Sequence, residues 1–376
     1  MFHSWVEVSR EAILNNYDRF ANLSRKTCLV APVLKSNAYG HGLELMAKTL
    51  KVRKPSYFCV NYVGEGLQLR SSGSKTPIMV AGPSLKEEFA EAGQKNLEIF
   101  IRDFSSLEAW TSMRAKKPKI HLKFDTGMNR QGFLPRDASL VANRVKEFIP
   151  YIAGVCSHFS NVEDVEKHDF ADLQLSRFAE IREFFPRERY KKTKFHIASS
   201  ASALIFPKAR LDLVRVGISS YGIWPSQMTR LSHLQIPGSK SFKLMPALRW
   251  CTTIGTLKDV SPGDFVGYGC TYRAVSKMRL AILPVGYFEG YPRLAGMDKS
   301  YVLIAGKRCA IIGRICMNMM MVDVSHIPKA CIGMVATLIG KDKSEEVTAD
   351  DLAAWSQTIS YELLSRIHPG IERRVV

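Results

Sequence analysis

"CLVAPVLKSNAYGHG" (residues 28–42) is an apolar run of strand character that ends on a lysine and passes at once into polar residues, a tyrosine and two glycines. A core strand that delivers a charged amine needs a reason, because lysine is rarely buried without a partner. By itself the stretch reads in two ways. Lys35 either reaches solvent where the strand stops, or it is an amine whose pKa is lowered by its surroundings so that it can form a Schiff base.

Seven more runs of the same kind follow: "YFCVNY" (57–62), "PIMVAG" (77–82), "LEIFI" (97–101), "KIHLKFDTG" (119–127), "IAGVCSHF" (152–159), "KFHIASS" (194–200) and "LDLVRVGIS" (211–219). Between them lie segments of helical period such as "EEFAEAGQ" and "ADLQLSRFAEIREFF", the latter with Leu173, Phe178, Ile181 and Phe185 on one face. Eight such units in alternation predict a (β/α)8 barrel of the TIM type, which needs about 250 residues and places its chemistry at the C-terminal ends of the strands. After "LQIPGSKSFK" (234–243) the period changes to short β-type runs separated by Gly, Pro and Asp turns, with only 349–366 reading as helical. The expected class is therefore α/β plus β. A barrel spans 10–238 and a mostly β domain 239–376, and residues 1–9 pack with the latter.

Composition limits the function. With 46% hydrophobic and 23% charged residues over 376 positions, the chain has the make-up of a globular protein and not of a disordered one. "MFHSWVEVSREAILNN" lacks the basic region, apolar stretch and small-residue cleavage site of a signal peptide, and no apolar window is long enough to cross a bilayer, so a cytoplasmic enzyme with no membrane partner is expected. Eight scattered cysteines without a C-x-x-C pair read as core thiols of a reducing compartment, in preference to disulfides or a zinc site. The formal charge of +18 raises nucleic-acid binding. Yet the basic residues are spread, the short clusters "RAKKPK" (114–119) and "RERYKKTK" (187–194) carry no interleaved aromatics, and no binding motif accompanies them. No nucleic-acid partner is expected; the charge can help to attract anionic small molecules.

"VLKSNAYGHG" resembles the pyridoxal-phosphate attachment motif of the alanine racemase family, fold-type III enzymes built from a barrel and a β domain. Further matches follow in order: "HLKFDTGMNRQGF" (121–133), "SHFSN" (157–161), "HIASSAS" (196–202), "RVGISSYG" (215–222), "GYGCTY" (267–272), "PVGYFEG" (284–290), "GRICMNM" (313–319) and "SYE" (360–362). The resemblance implies a pyridoxal 5'-phosphate enzyme that interconverts L- and D-alanine and supplies D-alanine for peptidoglycan. Lys35 then holds the cofactor and is the base on one face of the substrate, and Tyr268 is the base on the other. A phenol of unperturbed pKa near 10 needs electrostatic help to act as a base at neutral pH. The family suggests that help comes from His158, itself in contact with Arg215. Alternatively, His158 is a satisfied core histidine or, with "EDVEKHD" (163–169), a metal ligand; no repeated His/Asp spacing supports a metal, and none is expected.

The same resemblance places Arg215 at the pyridine nitrogen with His196 beside it. An arginine is always protonated, so it discourages protonation of that nitrogen and weakens the cofactor as an electron sink, which suits racemisation. Tyr39, Tyr361, Ser200 and the backbone of Gly217 and Ile218 are implied for the phosphate, Arg130 and the Met317 backbone for the substrate carboxylate, and Tyr287 for the entrance. Lys123 resembles a lysine often carbamylated in the family. A head-to-tail homodimer is implied, in which Tyr268 and Met317 serve the partner's cofactor. Departures from the usual pattern are Val216 for proline, Ser199 for asparagine, Asn129 for glycine, Asn318 for aspartate, and "GYFEG" for "GYADG". A broader amino-acid racemase, for example of serine, is the nearest alternative. A decarboxylase of the same fold type is opposed by Arg215, and a non-catalytic cofactor carrier by the second domain with Tyr268.

Overall fold

The computed structural model describes residues 2–24, 28–163, 167–296 and 300–376. They pack as two compact units, each discontinuous in sequence: one from 11–36 and 46–245, the other from residues up to 10, 37–45 and 246–376. Strand β1 (Ser4–Val8) belongs to the second unit.

The first unit is a parallel barrel, one strand from each of the eight apolar runs: β2 (Leu29–Pro32), β3 (Phe58–Val60), β4 (Ile78–Val80), β5 (Leu97–Ile101), β6 (Lys119–Lys123), β7 (Ile152–Cys156), β8 (Lys194–His196) and β9 (Leu213–Val216). Strands β3 to β8 pair in succession and β2 pairs with β9. The ring closes through Leu34 N–H to the Cys59 carbonyl (2.7 Å), joining β2 to β3, and through Asp212 N–H to Phe195 (3.0 Å) and Arg215 N–H to Ala198 (3.1 Å), joining β8 to β9. Strands β3, β4, β5 and β7 are buried throughout, as in parallel sheets covered by helices.

The helix Asp169–Glu183 corrects one detail. Leu173 is exposed, and the inward stripe is Ala171, Gln174, Phe178 and Ile181. The spacing 171, 174, 178, 181 follows 3.6 residues per turn and leaves Leu173 about 100° away. A glutamine occupies the position that an apolar count overlooks.

The second unit is built on a ten-stranded sheet. It comprises β1, β10 (Leu248–Thr253), β11 (Thr256–Val260), β14 (Met278–Leu283), β15 (Tyr301–Ile304), β16 (Lys307–Ile312), β17 (Met320–Asp323), β18 (Val335–Asp342), β19 (Glu345–Val347) and β20 (Glu372–Val375); a separate hairpin pairs β12 (Phe265–Val266) with β13 (Tyr272–Arg273). The path is β11-β14-β17-β16-β15-β18-β10-β1-β20, with β19 on β18. Strand β1 is antiparallel to β10 and parallel to β20. In place of one helix over 349–366 there are two, Ala349–Trp355 and Ser360–Ser365, because Gln357 adopts φ 56° between them.

Candidate active site

Lys35 stands first in a short turn, Lys35–Tyr39, in which Ser36, Asn37, Ala38 and Tyr39 all have φ between 52° and 56°. This is left-handed helix, which costs L-residues about 1–2 kcal/mol each. Fixed hydrogen bonds hold both halves of it. Ser36 N–H donates to Glu65 Oε1 (2.6 Å), and the other oxygen of that carboxylate accepts Asn61 N–H (2.7 Å) and Tyr62 N–H (3.2 Å). In the second unit, the Asn37 carbonyl accepts Gly42 N–H (2.9 Å) and Asn37 Oδ1 accepts Leu43 N–H (2.9 Å) at the start of the helix Leu43–Leu50. Gly40 is obligatory here: a Cβ would lie 2.0 Å from the Leu364 carbonyl oxygen.

Inside the barrel, Arg215 on β9 is buried and anchored at both ends of its fork. Nη1 contacts His196 Nδ1, while Nη2 donates to the carbonyls of Ser157 (2.9 Å) and Ile197 (3.2 Å) and meets His158 Nδ1 at 3.2 Å. Guanidinium can only donate, so both histidines accept at Nδ1 and carry their proton on Nε2. Burial, followed by the Arg215 charge, holds both imidazoles well below the ordinary histidine range. Lys123, Arg130 and Lys35 also push His158 down.

Lys123 ends β6, is only 5% exposed, and is lowered to about 7, first by burial, with the Arg215 and Arg130 charges acting in the same direction. Arg130 lies on the loop that follows, which one side chain organises. Asp125 Oδ1 accepts the N–H groups of Gly127 (2.9 Å), Met128 (2.8 Å) and Asn129 (3.1 Å), and Oδ2 that of Arg130 (2.9 Å). Burial raises the Asp125 pKa, but these four donors outweigh it and the net shift is downward. Beyond β8 and β9, Ser200 Oγ accepts Gly217 N–H (2.9 Å), which leaves its hydroxyl hydrogen free to donate elsewhere. Ile218 begins a 3-10 turn, Ile218–Tyr221, whose first N–H groups lack intrahelical partners by construction.

The second unit carries the remaining predicted residues. The rings of Tyr39 and Tyr361 lie 6.2 Å apart. Tyr268 sits at the tip of the β12–β13 hairpin, 71% exposed, between Gly267 (φ 77°) and Gly269 (φ 76°). Met317 is 54% and Tyr287 43% exposed. Their two loops are stitched together, Tyr287 N–H to the Cys316 carbonyl (3.2 Å) and Phe288 N–H to that of Met317 (2.9 Å).

Two family models cover nearly the whole chain: the alanine racemase N-terminal domain matches residues 8–225 and the C-terminal domain 247–375. The chain belongs to the alanine racemase family. It is 38% identical to the alanine racemase of Leptospira interrogans serovar copenhageni, over 100% of this chain and 96% of that protein, and 35% identical to that of Methylacidiphilum infernorum, over 98% and 92%. Among solved structures, alanine racemase from Bacillus anthracis with bound L-Ala-P superposes with a TM-score of 0.90 at 29% identity, covering 100% of this chain and 95% of that one. The biosynthetic alanine racemase of Pseudomonas aeruginosa gives 0.85 at 28%, covering 100% of both. The protein is thus an isomerase acting on amino acids.

Several departures from the alanine racemase pattern have structural reasons. Asn129 adopts φ 55°, a conformation that asparagine tolerates better than other side chains, so it can stand where glycine is common. Ser199 stands at the N-cap of the helix Ser200–Ile205, but its side chain makes no capping hydrogen bond there, so the change from asparagine has no structural account. Glu289 and Asn318 are coupled: Glu289 Oε1 accepts from Asn318 Nδ2 (2.9 Å) while Oε2 accepts Gly286 N–H (2.8 Å). Val216 has no such account. Sequence reasoning missed Glu65, Asp125 and Gln174, whose amide donates to the His158 carbonyl (3.2 Å) and accepts Ser160 N–H (3.0 Å). Asp125 could have been found from the turn signal "DTGMN". Among the described residues no group of three or more His, Cys, Asp or Glu could hold a metal ion. Residues 164–166 of "EDVEKHD" lie outside the described residues. No helix among the described residues is long and apolar enough to cross a membrane.

Proposed function

We propose that the protein interconverts L- and D-alanine with pyridoxal 5'-phosphate, using Lys35 and the partner subunit's Tyr268 as opposed bases in a head-to-tail homodimer, and supplies D-alanine for peptidoglycan. The observation that carries this reading is the charge inside the barrel. Lys35, Lys123, Arg130 and Arg215 all act on His158, while the nearby carboxylates Asp125 and Glu65 spend their oxygens on backbone N–H groups. Cations gathered in a poorly solvated site call for anionic ligands, here a phosphate and a carboxylate.

The donor set fits the cofactor. In the barrel, Lys35 offers an amine for its aldehyde, Arg215 a donor for the pyridine nitrogen, with His196 behind it, and the Ser200 hydroxyl and the Ile218 N–H donors for its phosphate, with Gly217 orienting Ser200; Tyr39 and Tyr361 are the phosphate donors that the family resemblance adds. When bound, pyridoxal phosphate withdraws electrons from the substrate Cα and acidifies its hydrogen. The residues then divide the work. Arg130 and the Met317 backbone orient the carboxylate, Tyr287 lines the entrance, and Lys35 and Tyr268 take and return the proton on opposite faces. His158, with its proton on Nε2, can donate to a phenolate oxygen and so favour the basic form of Tyr268. A lysine held to about 7 has a large neutral fraction at physiological pH, the form that carbamylation requires, and a carbamate on Lys123 would sit among Arg130 and Arg215. The catalytic barrel is assigned to 10–238 and the mostly β domain to 239–376. A cytoplasmic location is supported by eight free cysteines.

The test is incubation with cofactor and L-alanine in deuterated water. Loss of optical rotation with deuterium at Cα is the expected outcome; carbon dioxide release, or cofactor binding without exchange, overturns the reading. L-serine in the same assay separates a broad-specificity racemase from one selective for alanine.

A further inference from the structure

Behind Arg215 the hydrogen bonds continue into the barrel, beyond the residues assigned above. His196 Nε2 meets His121 Nδ1 at 2.9 Å, and His121 Nε2 meets Glu98 Oε2 at 2.8 Å. Glu98 lies on β5, His121 on β6, His196 on β8 and Arg215 on β9. Both histidines are 0% exposed. Strands β6 and β8 are not neighbours, since β7 runs between them. Their side chains meet because β7 carries Gly154 at that level: a Cβ there would lie 2.2 Å from His121 Nδ1 and 3.0 Å from His196 Nε2. Phe100 packs on both rings, with centroids at 5.2 and 6.0 Å.

The donor inventory gives this chain one direction. Guanidinium only donates and a carboxylate only accepts, so the two rings between them share two protons over four nitrogens. His196 accepts at Nδ1 and donates from Nε2; His121 does the same and ends on Glu98. Any other tautomer sets two lone pairs or two protons against each other inside the barrel. We propose that Glu98 and His121 are positioning residues that hold His196 as its Nε2–H tautomer, so that its Nδ1 remains an acceptor and fixes the direction of the Arg215 guanidinium. Glu98 also supplies a negative charge at the far end of the chain from the arginine. The consequence for the cofactor rests on the pyridoxal-phosphate reading, whereas the tautomer assignment does not.

The experiment uses cofactor-free protein labelled with 15N-histidine, in which ring-nitrogen shifts report the tautomer of each ring. In the wild type, His121 and His196 are expected to show a protonated Nε2 and a bare Nδ1 at neutral pH. Glu98→Leu removes the terminal acceptor and His121→Phe keeps an aromatic ring without one. Each is expected to turn His196 into a tautomer mixture, weaken pyridoxal-phosphate binding by about tenfold, and lower kcat by about ten- to a hundredfold with KM for alanine little changed. Glu98→Gln keeps an oxygen acceptor and is expected to retain the single tautomer. A proton on Nδ1 of His196 in the wild type overturns the proposal even if neither variant folds. A single Nε2–H tautomer surviving in Glu98→Leu or His121→Phe does so as well. If the wild-type rings behave as described but the protein neither binds the cofactor nor exchanges the alanine Cα hydrogen, the functional reading fails and the tautomer assignment stands.

Discussion

Three histidines, His41 and His196 buried and His158 half-buried, make acid the weak side of this protein. His41, lowered to about 4 by burial, and His158 and His196, held well below their ordinary value, are neutral when folded, whereas the unfolded chain binds a proton at each below about pH 6.5. Stability rises with pH wherever the unfolded state binds more protons, so it is fully present above about pH 6.5 and lost as pH falls from there toward the folded values. His41 alone contributes on the order of 3 kcal/mol to this loss by pH 4. Urea titrations of the cofactor-free protein at pH 7 and pH 5 should show the midpoint falling. The Glu289–Asn318 pair gives a second outcome at this scale. Asn318→Asp sets a carboxylate against a buried one, and a loss of about 2 kcal/mol in thermal unfolding is expected, with Glu289→Gln restoring it in the double variant.

At the scale of elements, the left-handed turn and the glycine on β7 are the positions with least tolerance. Ser36 is exposed and already at φ 56°, so Ser36→Val should cost about 1–2 kcal/mol in denaturant unfolding, while Ser36→Gly should cost nothing. Gly154→Ala forces the rings of His121 and His196 apart and should lower stability by about 1–3 kcal/mol, as overpacking does. The eight strands were legible because each is an apolar run between helical periods. Glu98 was not, since "LEIFI" reads as one such run, and His121 was absorbed in the same way into "KIHLKFDTG". A charged or imidazole side chain inside a buried strand was the available signal, but its meaning depends on which strands meet across the barrel, and no local pattern carries that. Lys35, Arg215, His158 and His196 were named through motif resemblance. The resemblance also implied the contacts of Arg215 with His158 and His196; the atoms that meet, and the continuation from His196 to His121, came only from the fold.

For the whole molecule, the exposed Tyr268, Tyr287 and Met317 suit burial by a second copy of the chain. Under the proposed head-to-tail dimer, mixing Lys35→Ala protein with Tyr268→Ala protein, each inactive alone, should regenerate racemisation after subunit exchange, because one site of each mixed dimer would then be intact. A strictly monomeric active species in sedimentation would contradict this. The position of β1 between β10 and β20 has a different consequence, one that concerns synthesis. Residues 4–8 are synthesised some 240 residues ahead of one neighbour and further still ahead of the other, residues 372–375. Until then their edge groups are open to any other strand, and a chaperone that shields nascent chains would have a segment to cover there.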